Sequence, residues 1–285
     1  MGLIKLNSIR TAEEALAIAD LNWSVRPVPL ITGEGKDVPT HKGLTRSDTG
    51  NILGIVGKSY QPIQNFQAFA FADILAEHYG ATYEYAGMCK DGKKVFLQAK
   101  LNESFEATRG DQVDCYITMA TSHDGSSSMR VFLTPIRLFC ENQLIRAIKN
   151  ASTNIVLRHT VNAEIKMQQA FEVFATSRNA FLRFKQKAQY LAQKQVDREM
   201  VKRFLDSVVG PEDQSTRIRN NRETVTRLFE NGKGNHGQNA FQMYNAATEW
   251  VDHERTRDPE KRLESAMFGS GAIIKEKAFA AAMAL

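Results

Sequence analysis

The sequence predicts an α+β fold: antiparallel β-hairpins flanked by helices, followed by an all-helical C-terminal half. Two observations carry this. Between Asn51 and Asn150 an apolar-periodic segment precedes two pairs of β-rich runs, each pair turning on Asp-Gly, and a second periodic segment closes the block. From Val161 to the end the chain reads as helical, with apolar residues at the three- and four-residue spacings of a helix face. Strands and helices therefore cluster instead of alternating, which favours α+β over a doubly wound parallel sheet.

The first 50 residues offer a short helix from Ala12 to Asp20, a strand around Trp23 to Leu30 and a polar loop from Thr32 to Thr45 with three glycines, together suggesting an arm or lid. Residues 51–160 form the expected core. Ile52 to Tyr60 is β-like, and Gly54 and Gly57 suggest bulges or close backbone approach. Asn65 is a good N-cap for a helix carrying Phe66, Phe69, Ala70 and Ile74 on one face, which Gly80 ends. Ala81 to Met88 and Lys94 to Leu101 flank Lys90-Asp91-Gly92-Lys93, where Asp-Gly supplies the positive φ of a type I′ turn. Val113 to Thr121 and Ser128 to Thr134 flank a second turn at Asp124-Gly125, and Leu138 to Ile148 forms the closing helix. In residues 161–285, Met167, Phe171, Phe174, Phe181, Phe184, Ala188 and Leu191 make one apolar stripe that Val196 to Val208 continues. Gly210-Pro211 stops it. Four further helices follow, over Thr216–Phe229, Ala240–His253, Glu260–Met267 and Ile273–Leu285.

A content of 42% hydrophobic residues in 285 supplies a packed core. No apolar run reaches the roughly 20 residues of a membrane helix, and the N-terminus lacks a secretory pattern, so a cytoplasmic protein with no membrane partner is expected. Cys89, Cys115 and Cys140 are read as buried free thiols. Net charge is +5. Residues 1–150 hold 16 basic and 16 acidic side chains, whereas 151–285 hold 21 and 16, so the excess lies in the second half.

Most short motifs have an ordinary reading. Gly232-Lys233-Gly234-Asn235-His236-Gly237 matches the dinucleotide fingerprint in letters, but a helix precedes it where that motif needs a strand. An interhelical loop is the reading; a nucleotide-responsive enzyme using this loop is the alternative. Ser122-His123-Asp124 is turn chemistry and no catalytic triad, since neighbours on an extended segment point to opposite faces. The six histidines form no H-x-x-x-H pair and no cysteine pair has zinc spacing, so neither metal nor cofactor is expected. Asp252-His253-Glu254 reads as a solvated acidic cluster at a helix end.

The basic residues carry more chemistry. On one helix, Arg183, Lys187, Lys194 and Arg198 fall within about 60° of one another at 100° per residue. A solvated flank of an amphipathic helix explains such a row, and the same row neutralises a phosphate backbone. Lys93, Lys94, Arg130, Arg137, Arg146 and Lys149 are the matching candidates on the hairpins and closing helix. Of these, Arg130, Arg137, Arg146 and Lys149 are expected to line a common groove, with the Arg183 to Arg198 stripe as the rival surface.

Leu44-Thr45-Arg46-Ser47-Asp48-Thr49-Gly50, Leu53 to Asn65, Thr121 to Ser126, Thr134 to Arg137, Cys140-Glu141-Asn142, Tyr244 to His253 and Phe268-Gly269-Ser270-Gly271 resemble the phage/plasmid-like proteins catalogued as a domain of unknown function. That resemblance spans nearly the whole chain and brings no catalytic motif. The order of helix, hairpins and helix from Asn65 to Asn150 also resembles the Rad52-type single-strand annealing proteins. This second resemblance implies a non-enzymatic homo-oligomer, ring or filament, that holds single-stranded DNA in a basic groove. An exonuclease of the same phage or plasmid is a further expected partner. An oligomeric structural or host-interaction protein is the remaining alternative.

Overall fold

The structure is a computed structural model, and it describes residues 3–9, 11–137, 155–160, 178–212, 215–233 and 237–285. The architecture is α+β, with antiparallel sheets in the N-terminal half and helices dominating the C-terminal half. Two compact units emerge. The first comprises 1–102, 116–133 and 153–177, and the second 103–115, 134–152 and 178–285.

In the first unit, β1 (Leu3–Ile9) and α1 (Ala12–Ile18) precede a three-stranded sheet of β2 (Val25–Ile31), β3 (Asp37–Arg46) and β4 (Ile52–Gly57), ordered β2-β3-β4. Then come α2 (Asn65–Tyr79), β5 (Thr82–Cys89), β6 (Lys94–Glu106), β7 (Gln112–Ser122), β8 (Met129–Arg137) and β9 (Ile155–Leu157), forming with β1 a sheet of order β1-β5-β6-β7-β8-β9. Residues 103–115, the outer turn of the β6–β7 hairpin, belong to the second unit. Its helices are α3 (Arg178–Gln193), α4 (Arg198–Val208), α5 (Thr216–Asn231), α6 (Ala240–Glu249), a π-helical turn (Trp250–Glu254), α7 (Pro259–Phe268) and α8 (Ser270–Ala284).

The hairpins form as their turn residues dictate. Asp91 and Gly92 both take positive φ, 56° and 94°, and the Lys93 amide donates to the Lys90 carbonyl at 3.2 Å, closing the expected turn. Gly125 takes φ 76° in the second. Burial of Val95, Phe96, Leu97, Ile117 and Met119 then stabilises the strands, by roughly 1.5–3 kcal/mol for each large side chain.

Elsewhere the structure departs from the sequence reading. The segment expected as an arm or lid supplies β1 to one sheet and β2 and β3 to the other, and with β1 and β9 added the sheet of the four expected hairpin strands has six. The polar loop from Thr32 holds β3, which is buried in pairing on both sides: Val28, Gly43 and Ile55 lie in one row across the three strands. Its polarity reflects a sheet face left to water. The Asn65 side chain does not cap α2, because its amide donates to the Leu21 and Trp23 carbonyls. Instead the Gln67 side chain accepts from the Gln64 amide at 2.9 Å. Phe66 is exposed while Phe69 and Ala68 are buried, so the apolar face of α2 is turned from its expected position. The expected helix over Leu138–Ile148 and the stripe from Met167 to Phe174 lie outside the described residues. Cys89 and Cys115 are buried, and Cys140 lies outside the described residues. Among the described residues no helix is long and apolar enough to cross a membrane.

Candidate nucleic-acid interface

Helix α3 is oriented by its apolar side. Phe184 stacks on Phe279 with ring centroids 5.8 Å apart and meets Phe105 edge-on at 6.2 Å, while Ala188 and Leu191 are fully buried. That anchoring leaves Arg183, Gln186, Lys187 and Tyr190 exposed. At 100° per residue Arg183, Lys187 and Tyr190 fall within about 60° of one another, on a flank of the side that carries Phe184, Ala188 and Leu191. From Arg178 to Val196 there are five basic and no acidic residues.

The expected single helix through Arg198 is interrupted. Past Gln193 the chain is held by bonds to the start of α6: the Ala240 amide donates to the Lys194 carbonyl at 2.8 Å and the Val196 amide to the Gln238 carbonyl at 3.1 Å. Asp197 then caps a new helix, its carboxylate accepting from the Met200 amide at 2.8 Å. Arg198 therefore opens α4 instead of extending the α3 row. Arg183 and Lys187 are brought together on α3, and half-buried Lys194 lies just beyond it.

The hairpin candidates are dispersed. Lys93 and Lys94 are half-buried at the β5–β6 turn, where the Lys93 carbonyl accepts from the His123 amide at 2.8 Å. Arg130 lies on β8 opposite Val156, with its Nε buried and without a partner. Arg137 ends β8, but its side chain is not among those described, and Arg146 and Lys149 lie outside the described residues. The groove expected from these four thus rests, in what is described, on Arg130 alone.

The motif residues of the first unit converge on a buried centre that the sequence reading missed. His123 is fully buried, and its Nε2 meets Asn65 Oδ1 at 2.8 Å. Because the Asn65 amide nitrogen donates to two carbonyls, its oxygen must accept, so His123 carries its proton on Nε2. His159 matches it: Nδ1 accepts from the Ile63 amide at 3.2 Å, and Tyr60 stacks on the ring at 4.7 Å. Burial pushes His123 down to about 3, helped by neighbouring His159, and burial likewise pushes His159 down to about 4. Both rings are neutral at physiological pH.

Trp23 lies edge-on to His123 at 5.4 Å and carries the Arg46 guanidinium 4.5 Å from its ring centroid. Arg46 is itself buried and grips Asp48 at 3.0 and 2.6 Å and Asp91 at 3.4 Å, and the hydrogen bond to Asp48 holds that carboxyl below its ordinary range. A side chain at Gly92 would come within 2.8 Å of the Trp23 ring, and one at Gly54 within 2.7 Å of Asp124 Cα. Ser122 Oγ bonds the Ser127 backbone, donating at 2.8 Å and accepting at 2.9 Å, and Asp124 accepts from the Ser126 amide at 2.9 Å. These are turn bonds, and no relay joins Ser122 to His123. The centre's polar groups are largely engaged with one another, which suits a structural lock.

A second buried polar stripe runs along α6 and the π turn. Gln242 donates to Asp111 at 3.0 Å and accepts from Asn245 at 3.2 Å, and seven residues beyond Asn245, Asp252 meets Lys275 at 2.8 Å with both side chains buried. Burial raises Asp252 to about 6 against the pull of Lys275. The expected solvated cluster at 252–254 is thereby corrected: Asp252 lies buried within the π turn, while His253 and Glu254 are exposed and Glu254 pairs with Arg227. Residues 234–236 of the glycine loop lie outside the described residues. Its start is interhelical, as expected: Gly232 follows α5, its amide donates to the Leu228 carbonyl at 2.8 Å, and the Lys233 amide donates to Glu249 at 3.3 Å. A carboxylate thus occupies an amide that a phosphate would need. Among the described residues no group of three or more His, Cys, Asp or Glu side chains is placed to hold a metal.

The chain belongs to the family described as a domain of unknown function, DUF932, which matches residues 52–267. Neither a curated protein nor a solved structure matches it.

Proposed function

We propose that this protein binds single-stranded DNA and anneals complementary strands as a non-enzymatic homo-oligomer of a phage or plasmid recombination system. The observation that carries the reading is the acid-free exposed face of α3, where Arg183 and Lys187 stand one turn apart with Lys194 beyond them. Lysines and arginines in a row suit a phosphate backbone and read no sequence. The sheet order supports assembly, because among the described residues β1 and the three-residue β9 are the edge strands, and sheet edges call for pairing or cover. A phage or plasmid exonuclease fits as the enzyme that exposes the single strand.

The second reading, an oligomeric structural or host-interaction protein, is favoured by the three-stranded sheet. A register shift between Leu44 and Thr45 turns both Ile52 and Ile55 to one face, where they are 68% and 61% exposed. The test is a mobility shift with labelled single and double strands at about 50 and about 200 mM salt, beside a mass measurement of the free and bound protein. Binding that is strong at low salt, weak at high salt and accompanied by a multimer supports the first reading. No shift at low salt leaves the second.

A further inference from the structure

We propose that Tyr190 is a stacking platform for an unpaired base, which makes α3 a reader of single strands in preference to duplex. This inference rests on the single-strand-binding reading above and specifies how its ligand is held. Tyr190 lies at about 240° on α3 if Phe184 is set to zero, between Gln186 at about 200° and Arg183 and Lys187 at about 260° and 300°. It is therefore interleaved with the cations. Tyr190 is 53% exposed, whereas Phe105, Phe204, Phe229, Phe241, Tyr244 and Phe279 of the same unit are all buried. Among the described residues neither a hydrogen bond nor a ring contact engages it. An aromatic ring left in water costs apolar burial, and the buried side of α3 is already filled by Phe184, Ala188 and Leu191. Beside cations that fix the phosphates, such a ring offers a π-face to any base. Duplex hides those faces and single strands present them.

The experiment uses the full-length protein with labelled oligothymidylate of about 30 nucleotides, long enough for the known range of single-strand site sizes, and a duplex of equal length. Tyr190→Ala, Tyr190→Phe and Tyr190→Trp are compared, with thermal melting as the folding control. The expected result is a loss of about tenfold in single-strand affinity for Tyr190→Ala, near-wild-type binding for Tyr190→Phe and a duplex affinity changed less than about twofold. Oligothymidylate should also quench Tyr190→Trp emission, read above the buried Trp23 and Trp250. If Arg183→Glu with Lys187→Glu abolishes binding while Tyr190→Ala binds as wild type, the stacking inference is wrong and DNA binding stands. Wild-type protein that binds no oligonucleotide at about 50 mM salt overturns the functional reading, and the inference with it.

Discussion

The two units bury polar groups in opposite ways. The first surrounds neutral histidines with hydrogen bonds and places the buried guanidinium of Arg46 against an indole and two carboxylates. The second buries a full ion pair, Asp252 with Lys275, inside a helical core, and carries exposed Arg183 and Lys187 on α3. The difference separates the structural residues from the candidate binding residues. The motifs Leu44–Gly50, Leu53–Asn65 and Thr121–Ser126 meet in the first unit as a lock between turns. The α3 row has a weaker sequence signature and is the part open to a ligand.

The largest expected effect is on the ion pair. Lys275→Met should cost about 3–5 kcal/mol in denaturant unfolding, because it strands a buried carboxylate, and adding Asp252→Leu should restore most of it. A double variant as unstable as the single would show that the pair is needed for more than mutual neutralisation.

His123→Ala should cost about 3 kcal/mol, since it opens a cavity and orphans Asn65 Oδ1. The two units should also answer pH with opposite sign. His123 and His159 are held below their ordinary value, so the unfolded chain takes the proton first and the first unit loses stability as pH falls from about 6.5 toward 4. Asp252 is raised to about 6, so the folded form takes the proton first and the second unit gains over the window from 6 down to the ordinary carboxyl range. Hydrogen exchange, corrected for intrinsic rates, should show residues 117–125 losing protection at pH 4.5 before 242–254. Equal loss in both would contradict the assignment.

Gly92→Ala should cost about 2 kcal/mol by melting, from its positive φ and the approach to Trp23. Arg183→Gln with Lys187→Gln should change stability by no more than about 0.5 kcal/mol, as expected of exposed residues away from caps and core.

Local signals were legible where turn and cap chemistry decide the backbone. Asp91-Gly92, Gly125 and the helices from Thr216 onward follow directly from residue type and spacing. Gly54 was legible as a close approach, though its neighbour Asp124 was not. The strand β3 was hidden because its outward residues are polar and its glycine and proline read as a loop. His123 could not be joined to Asn65 from the sequence, since 58 positions separate them. Asp252 was misread because its partner Lys275 is 23 positions away and a carboxylate near a helix end is ordinarily solvated. Tyr190, by contrast, stood at legible spacing from Arg183 and Lys187; only its exposure needed the structure.

The central claim is that α3, and not the locked centre of the first unit, meets nucleic acid. The most direct test is the salt dependence of single-strand affinity for the wild type and for Arg183→Gln with Lys187→Gln. Each phosphate contact on a single strand contributes about 0.7 to the slope of log affinity against log salt, so the double variant should bind more weakly with a slope shallower by about 1.4. An unchanged slope and affinity would contradict the account.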